Sequence, residues 1–598
     1  MRRDALPLAL ILLVGLSLRL AGLSHGLPLI LFRDEAQIIS RALSINRHDL
    51  NPHIFVWGSL HYYLLKAALS AYAHAHALIP GGAAPLPRLC MAARLLSVGL
   101  SLLTIVLVYA LGRLLSGGRA GLLGAALFAV SPLAVETSHY GVVESQLGAW
   151  SALSLIGLVL WRTRDRRAWM LAASCAGLAV ATKYNAVALL LPIAVAAVAR
   201  ALAAKGGLSA PRLRAFGAVL AAGAAISLGL QAFRAEVLNH VATWTNSGSL
   251  DAVYVRTFDR IREALALVLL AGGTLAVAAY RRVRWASDAV RAAASPELWA
   301  PLLLALAFFL LAEPFALLDF PAFAQGFFFS FRKQALGGAE SLPVGARLFA
   351  QALKHIPTDR LFYVRALWNE WGACVFLCIG IGLFALRRAR SPMLAPFLSM
   401  LGFLLLSSSS GHYYAVRYLF PAWPLLASLA GLGMHALLER AHAAWPSRRP
   451  AAKLAPLALA SLLLAAPLWS GIRLVRETFL AAETRVLAWE WIQGHIEPGT
   501  FILRGDDLDT PVIEEASSAY RVASAEFPFE AASLNEWKRR GVRIVVIGTR
   551  QAEQYRRHPE EFGDILKEYA KLREEGTLLK AFDPADGVRG RRIEIYRL

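Results

Sequence analysis

Two carboxylates stand side by side in LFRDEAQIISRAL at 31–43, Asp34 and Glu35, directly after an apolar run. Neighbours on a helix project about 100° apart. One acid of the pair can therefore face reacting groups while the other orients it or meets a basic neighbour. A carboxylate within reach of a hydroxyl proton is a general base, although the same residues also fit an N-cap and first-turn acid ahead of AQIISRALSI. A second acidic cluster lies in SPLAVETSHYGVVESQLGAW, with Glu136, His139, Tyr140 and Glu144. Glu144 also fits the start of a helix. Lys183, in AVATKYNAVALLLP, sits between two apolar runs. A lone charge at helix-centre depth costs about 2.5–3.5 kcal/mol, which calls for an anionic neighbour. Arg417 opens another apolar run in SSSSGHYYAVRYLFPAWP, with His412 close by. Cations beside apolar surface suit a phosphate on a lipid tail, and they equally suit side chains that snorkel to an interface. His61 and Tyr62, in WGSLHYYLLKAALSAYAHAHALIP, join His139 and Tyr140 as candidates to line a substrate pocket.

The elements that must position these groups are membrane helices. Of 598 residues 57% are hydrophobic and 17% charged, with a mean hydropathy of +0.50, too apolar for a soluble enzyme of this length. Runs of roughly 20 apolar residues, enough to span a bilayer, recur to residue 472 and predict about thirteen helices. The spans are 5–23, 92–112, 120–135, 145–160, 168–182, 185–203, 215–232, 262–280, 300–318, 371–387, 392–409, 416–438 and 454–472. The net charge of +21 does not point to nucleic acid, because the charge is dispersed among short connections. Arg113 and Arg119, RTRDRR at 162–167, RRVR at 281–284 and RRAR at 387–390 recur in alternate loops behind Arg2 and Arg3. This is the positive-inside pattern. It predicts a multi-pass plasma (inner) membrane protein with a cytoplasmic N-terminus, the first span retained as an anchor, and the acids on the extracytoplasmic side.

The membrane domain, 1–472, carries two large outer loops at 24–91 and 319–370. The first is partly apolar, consistent with re-entrant or surface-lying helices, and DFPAFAQGFFFSFRKQ in the second reads as an interfacial helix. From 473 to 598 the pattern changes to short β-type runs, TFILR, RIVVIG and RRIEIYRL, mixed with helical stretches, which predicts a small extracytoplasmic α/β domain. Cys90, Cys175, Cys374 and Cys378 form no CxxC pair and read as small hydrophobes. Histidines and acids share loops, which leaves room for a divalent metal, but no ligand spacing demands one and none is assigned.

In order, RDEAQIISRAL, NPHIFVWGSLHYYLL, SPLAVETSHYGVVES, GLAVATKYNAVALLLP, EPFALLDFPAFAQGF, VRYLFPAWPLLA and ETRVLAWEWIQGHIEPGTFIL resemble the phospholipid-carrier-dependent glycosyltransferases. These form the membrane GT-C superfamily that contains protein O-mannosyltransferases and aminoarabinose transferases. The resemblance runs over nearly the whole membrane part and rests on the order and spacing of the motifs. It implies a donor in which a sugar is joined to a polyprenyl phosphate, no required cofactor, and an acceptor hydroxyl on a protein, lipid or glycan. It also implies that Asp34 is the general base beside Glu35 and that Lys183 contacts the donor phosphate. Many relatives carry Asp where this chain has Glu144, and one extra methylene displaces a carboxylate by about 1 Å.

An inverting transferase follows, with Asp34, Glu35 and Glu144 as the acids and Lys183, Arg417 and His412 at the donor phosphate. A lipid or solute transporter is the alternative from another class. Intramembrane charges at mid-depth and inverted repeats mark transporters, whereas the polar residues of this chain gather in large loops on one side.

Overall fold

A computed structural model of the chain describes all residues except 1, 78–85, 204–289, 291–292, 328–360, 410–414, 445–449, 506–508, 514–516, 526, 557–558 and 586. Among the described residues five helices are long and apolar enough to cross a membrane: Leu86–Ser116, Tyr184–Leu202, Phe362–Arg388, Val416–Ala443 and Ala458–Phe479. A bent pair, Gly118–Val130 with Pro132–Ser138, makes a sixth, and Trp169–Val180, Pro296–Ala312 and Leu394–Leu405 are shorter apolar helices. The predicted spans at 215–232 and 262–280 lie outside the described residues.

The bundle is built from α1 (Arg2–Leu20), α4 (Leu86–Ser116), α5 (Gly118–Val130), α6 (Pro132–Ser138), α7 (Glu144–Thr163), α8 (Trp169–Val180), α9 (Leu190–Ala203), α10 (Pro296–Ala312), α11 (Phe362–Arg388), α12 (Leu394–Ser409), α13 (Trp423–Ala444) and α14 (Pro450–Leu474). Small residues let backbones approach closely: a Cβ on Gly433 of α13 would lie 1.9 Å from the Cys378 carbonyl oxygen of α11. Cys90, Cys175 and Cys378 are buried and Cys374 is exposed, all four as free thiols. The first loop folds as two helices, α2 (Arg33–Ser44) and α3 (Ser59–Ala77). Ile38, Ile39 and Ala42 of α2 pack with Tyr62, Leu65 and Leu69 of α3 and with Cys90 and Ala93 of α4. Residues 320–327 are helical, in agreement with the first half of the interfacial helix read from DFPAFAQG; the rest of that segment is not described.

At Ser131 the α5–α6 pair bends by 57°. Pro132 lacks the N–H a continuous helix would use, and side chains of three other helices meet the backbone and hydroxyl groups around the break. Arg19 of α1 donates through Nη1 to the Ala129 carbonyl at 2.8 Å, Glu370 of α11 accepts from the Leu133 N–H at 3.0 Å, and Trp423 of α13 donates to the Ser131 hydroxyl at 2.9 Å. The bend leaves Glu136 and the connection 139–143 at the end of the bundle beside α2.

Beyond α14 the chain passes through a π-helical turn, Val475–Phe479, into a C-terminal α/β region. Its central sheet orders β3 (Arg521–Ser524), β2 (Phe501–Arg504), β4 (Ile544–Gly548), β7 (Ile593–Arg597) and β5 (Thr577–Phe582), parallel across the first three and antiparallel at β7 and β5. Strands buried on both faces read as continuous β-branched runs, which is why IVVIG and IEIY mark the centre of the sheet. The helix α15 (Thr484–His495) covers one face through Ala488, Trp489 and Ile492, and Leu29 from the α1–α2 connection joins that same core. A second, two-residue ladder pairs β1 (Ala482–Glu483) with β6 (Val588–Arg589). Phe479 stacks on the His139 ring at 3.8 Å and meets His25 and Tyr140 edge-on. A Cβ on Gly22, which has φ +77°, would lie 2.5 Å from the Phe479 carbonyl oxygen. The α1–α2 connection and the start of the C-terminal region are thus packed backbone to backbone.

Candidate active site

Asp34 and Glu35 occupy the first turn of α2, behind an extended Phe32 that offers no side-chain cap. Their environments differ sharply. Glu35 is fully buried and takes a two-pronged grip from Arg94 of α4, Nε to Oε1 at 2.9 Å and Nη2 to Oε2 at 2.8 Å. The Gly141 N–H also donates to Glu35 Oε1 at 2.8 Å, and Arg94 Nη1 donates to the carbonyls of Leu23 and His25. One ion pair therefore fastens α2, α4, the α1–α2 connection and the loop ahead of α7. Paired planar hydrogen bonds of this kind fix orientation as well as charge. Asp34 points elsewhere. Its carboxylate is about a quarter exposed and accepts from Arg417 Nη1 at 2.8 Å.

Glu144 is the first residue of α7, where the helix dipole favours an anion. It is buried and accepts from the Lys183 ammonium at 2.7 Å. Lys183 stands ahead of a 3₁₀ turn, Tyr184–Leu189, and lies 5.5 Å from the Tyr418 ring centre. The lone intramembrane cation read from the sequence has its anion. That turn is held by α3: the Gly58 and Leu60 N–H groups donate to the Thr182 and Ala181 carbonyls. A Cβ on Gly58 would lie 1.9 Å from the Ala181 oxygen. Electrostatic contact joins the two ion pairs, Arg417 to Glu144 and Lys183 to Asp34. Four charges, two of each sign, so form one cluster at the end of the bundle. Arg417 commits one N–H to Asp34, its Cζ lies 5.9 Å from the Phe32 ring, and Phe32 stacks on Tyr140 at 4.5 Å.

The remaining candidates separate. His61 is buried with Nδ1 at 2.8 Å from Gln146 Oε1, two residues beyond Glu144 on α7, and stays beside the cluster. Tyr62 is buried in the α2–α3–α4 core. His139, expected to line the pocket, is corrected: its two ring nitrogens lie 2.8 and 3.0 Å from the Val135 and Ala21 carbonyl oxygens, and Phe479 covers its ring. It belongs to the junction with the C-terminal region. Tyr140 flanks the cluster through Phe32, and His412 lies outside the described residues. Arg94 and Arg19 went unread because an arginine at the edge of an apolar run looks like an interfacial charge; nothing local marks one that turns inward. Among the described residues no group of three His, Cys, Asp or Glu side chains could hold a metal ion.

The chain is a helical membrane bundle that carries this charge cluster at one end, with a small mixed-sheet region beside it. A family model described as dolichyl-phosphate-mannose-protein mannosyltransferase matches residues 89–228, which contain Arg94, Glu144 and Lys183. The fold is similar to the archaeal oligosaccharyltransferase AglB from Archaeoglobus fulgidus, solved with an inhibitory peptide and a dolichol-phosphate, with 14% identity, a TM-score of 0.50, and coverage of 98% of this chain and 74% of that one. ArnT from Cupriavidus metallidurans, solved with undecaprenyl phosphate, gives 13% identity and a TM-score of 0.46 over 99% of this chain and 97% of that one. The arabinofuranosyltransferase AftD from Mycobacteria gives 15% and 0.42, and this chain spans 40% of its length. No curated protein matches the chain.

Proposed function

We propose that the chain moves a sugar from a polyprenyl-phosphate-linked donor to a hydroxyl acceptor, with inversion, at the extracytoplasmic face of the plasma membrane. The N-terminus is cytoplasmic and the C-terminal region lies on the side of the charge cluster. The observation that carries this reading is the pairing of a partly exposed Asp34 with Arg417 beside the buried Glu144–Lys183 pair. The acceptor oxygen attacks the anomeric carbon, its proton passes to Asp34, and the bond from that carbon to the phosphate oxygen breaks to release polyprenyl phosphate. A phosphate leaves readily, so no general acid is required; an alcohol is a poor nucleophile and gains from a base.

Arg417 is the best-placed donor-phosphate ligand, because it carries N–H groups beyond the one spent on Asp34 and its charge meets the developing anion without reorganisation. Lys183, neutralised by Glu144, contributes a held ammonium at the edge of the same cluster. Glu35 acts through position: gripped by Arg94 and Gly141, it fixes the helix turn from which Asp34 projects. His412, His61, Tyr62 and Tyr140 remain candidates around the sugar and phosphate. The donor and surrounding membrane lipids are the partners this chemistry requires, and the acceptor is a protein, lipid or glycan. A transporter is not favoured, since the charges sit at one end of the bundle.

Purified protein incubated with a panel of polyprenyl-phosphate sugars, with release of free polyprenyl phosphate followed against candidate acceptors, tests the reading. Asp34→Asn should cut transfer by about 10²- to 10⁴-fold while the folded protein still binds donor. Near-normal turnover would remove Asp34 from the role of base.

A further inference from the structure

The helices α11 and α13 cross where glycines bring their backbones together. A Cβ on Gly382 would lie 2.1 Å from the Leu429 carbonyl oxygen, and one on Gly433 would lie 1.9 Å from that of Cys378. Beyond the crossing, toward the C-terminal ends of both helices, a cavity of about 320 Å³ opens between them. Ile381, Phe384, Ala385 and Arg388 of α11 line one wall, and Ala436 and Arg440 of α13 line the other. The spacing places each set on one helix face, so both walls run from apolar side chains to an arginine at the mouth. Phe384 is 55% exposed, and Leu377, two turns back on the same stripe, is 62% exposed, which continues the apolar wall toward the bilayer interior. This is the end of the bundle away from the charge cluster. Trp423 opens α13 beside the Ser131 hydroxyl, and at a rise of 1.5 Å per residue Arg440 stands about 26 Å further along the helix.

The two arginines are exposed and, among the described residues, make neither an ion pair nor a side-chain hydrogen bond. Glu439, next to Arg440 in the chain, is taken by Arg119 at 3.0 Å and faced by His435 at 3.9 Å. From 371 to 438 the chain has no Asp or Glu at all. The mouth of the cavity therefore carries two positive charges that no carboxylate in its walls offsets. Guanidinium forks grip phosphate oxygens in pairs, and an apolar wall below them gains from covering a hydrocarbon chain. That combination matches a phosphodiester joined to an acyl tail; a free phosphate would use the arginines and leave the wall bare.

We infer that this wedge binds an anionic glycerophospholipid, with its phosphate between Arg388 and Arg440 and one acyl chain along Ile381, Phe384 and Leu377. Basic pockets between membrane helices lodge anionic headgroups on the cytoplasmic side, which is where the orientation proposed above puts this end of the bundle. The site is separate from sugar transfer, and its occupant is a lipid of the surrounding membrane rather than the donor.

The test is native mass spectrometry of the full-length protein in detergent, titrated with dioleoyl phosphatidylglycerol or dioleoyl phosphatidylcholine. The first phosphatidylglycerol should bind about tenfold more tightly than the first phosphatidylcholine. Arg388→Gln combined with Arg440→Gln should remove that preference. Arg387→Gln, in the same basic stretch but off the cavity wall, should keep it. Ala436→Leu leaves both arginines in place and fills the wedge, and it should weaken phosphatidylglycerol binding, which separates a lodged lipid from general attraction to a basic surface. Glycerol 3-phosphate, which carries the phosphate without the chains, should not displace the lipid. Size-exclusion profiles matching the wild type establish that the variants are folded. Equal affinity for the two lipids, a double variant or an Ala436→Leu protein that titrates like the wild type, or full displacement by glycerol 3-phosphate would overturn the site.

Discussion

Adjacent carboxylates with unlike partners are the centre of this site. Asp34 and Glu35 are chemically similar and sequentially joined, yet Glu35 is locked by Arg94 and Gly141 while Asp34 keeps a face open beside Arg417. The sequence showed the acids, and helix geometry implied that they would diverge. It could not show their partners, because Arg94 is 59 residues from Glu35 and Arg417 is 383 from Asp34. Glu144 and Lys183 carry a prediction of their own. Removing one member of a buried pair strands the other charge at a cost of about 3–5 kcal/mol, whereas replacing both with neutral groups of similar size costs far less. Glu144→Gln should therefore lower the thermal unfolding midpoint in detergent, and Glu144→Gln combined with Lys183→Met should regain most of it while transfer stays impaired. A Glu144→Gln protein as stable as the wild type would show that the pair is not a structural unit.

The elements that place these residues are short and irregular. α2 and α3 were legible as helices too polar to cross and too apolar to leave the interface, and both are present in the first loop. Periodicity did not reveal that α3 docks on the turn bearing Lys183 through the bare backbone of Gly58, since a glycine in a loop has many uses. Because a methyl there would overlap the Ala181 carbonyl oxygen, Gly58→Ala should displace the start of α3. The expected result is a large loss of transfer with less folded protein, read by size-exclusion yield and turnover per folded molecule. Wild-type values for both would mean that the contact is slack. The cluster thus depends on backbone approach as much as on side-chain charge.

At the scale of the molecule, a membrane bundle and a small sheet region meet across His25, His139, Tyr140 and Phe479. Composition separated the two parts, but nothing in it foretold that Leu29 would complete the core beneath α15. The junction should respond to acid. Burial, with Arg589, Arg94 and Arg485 nearby, lowers the His25 pKa from 6.5 to about 4 against an opposing pull from Glu483. Folding thus favours the neutral imidazole. Its contribution is complete above the unfolded value and is lost as pH falls from about 6.5 toward 4, because the unfolded chain then binds the extra proton. Thermal unfolding followed across that range should show declining stability, with a shallower decline in His25→Gln; an unchanged slope in the variant would assign the effect to other groups.

The break between α5 and α6 bears on how such a protein is made. Inside lipid a helix satisfies its own backbone, and a bend persists only where other groups serve the peptide units it frees. Those groups, Arg19, Glu370 and Trp423, come from segments synthesised as much as 285 residues after Gly118–Ser138 or well before it. Pro132 writes the break into the sequence and Arg19 is made ahead of it, but the set of groups that holds the bend is complete only when α11 and α13 have arrived, late in biogenesis.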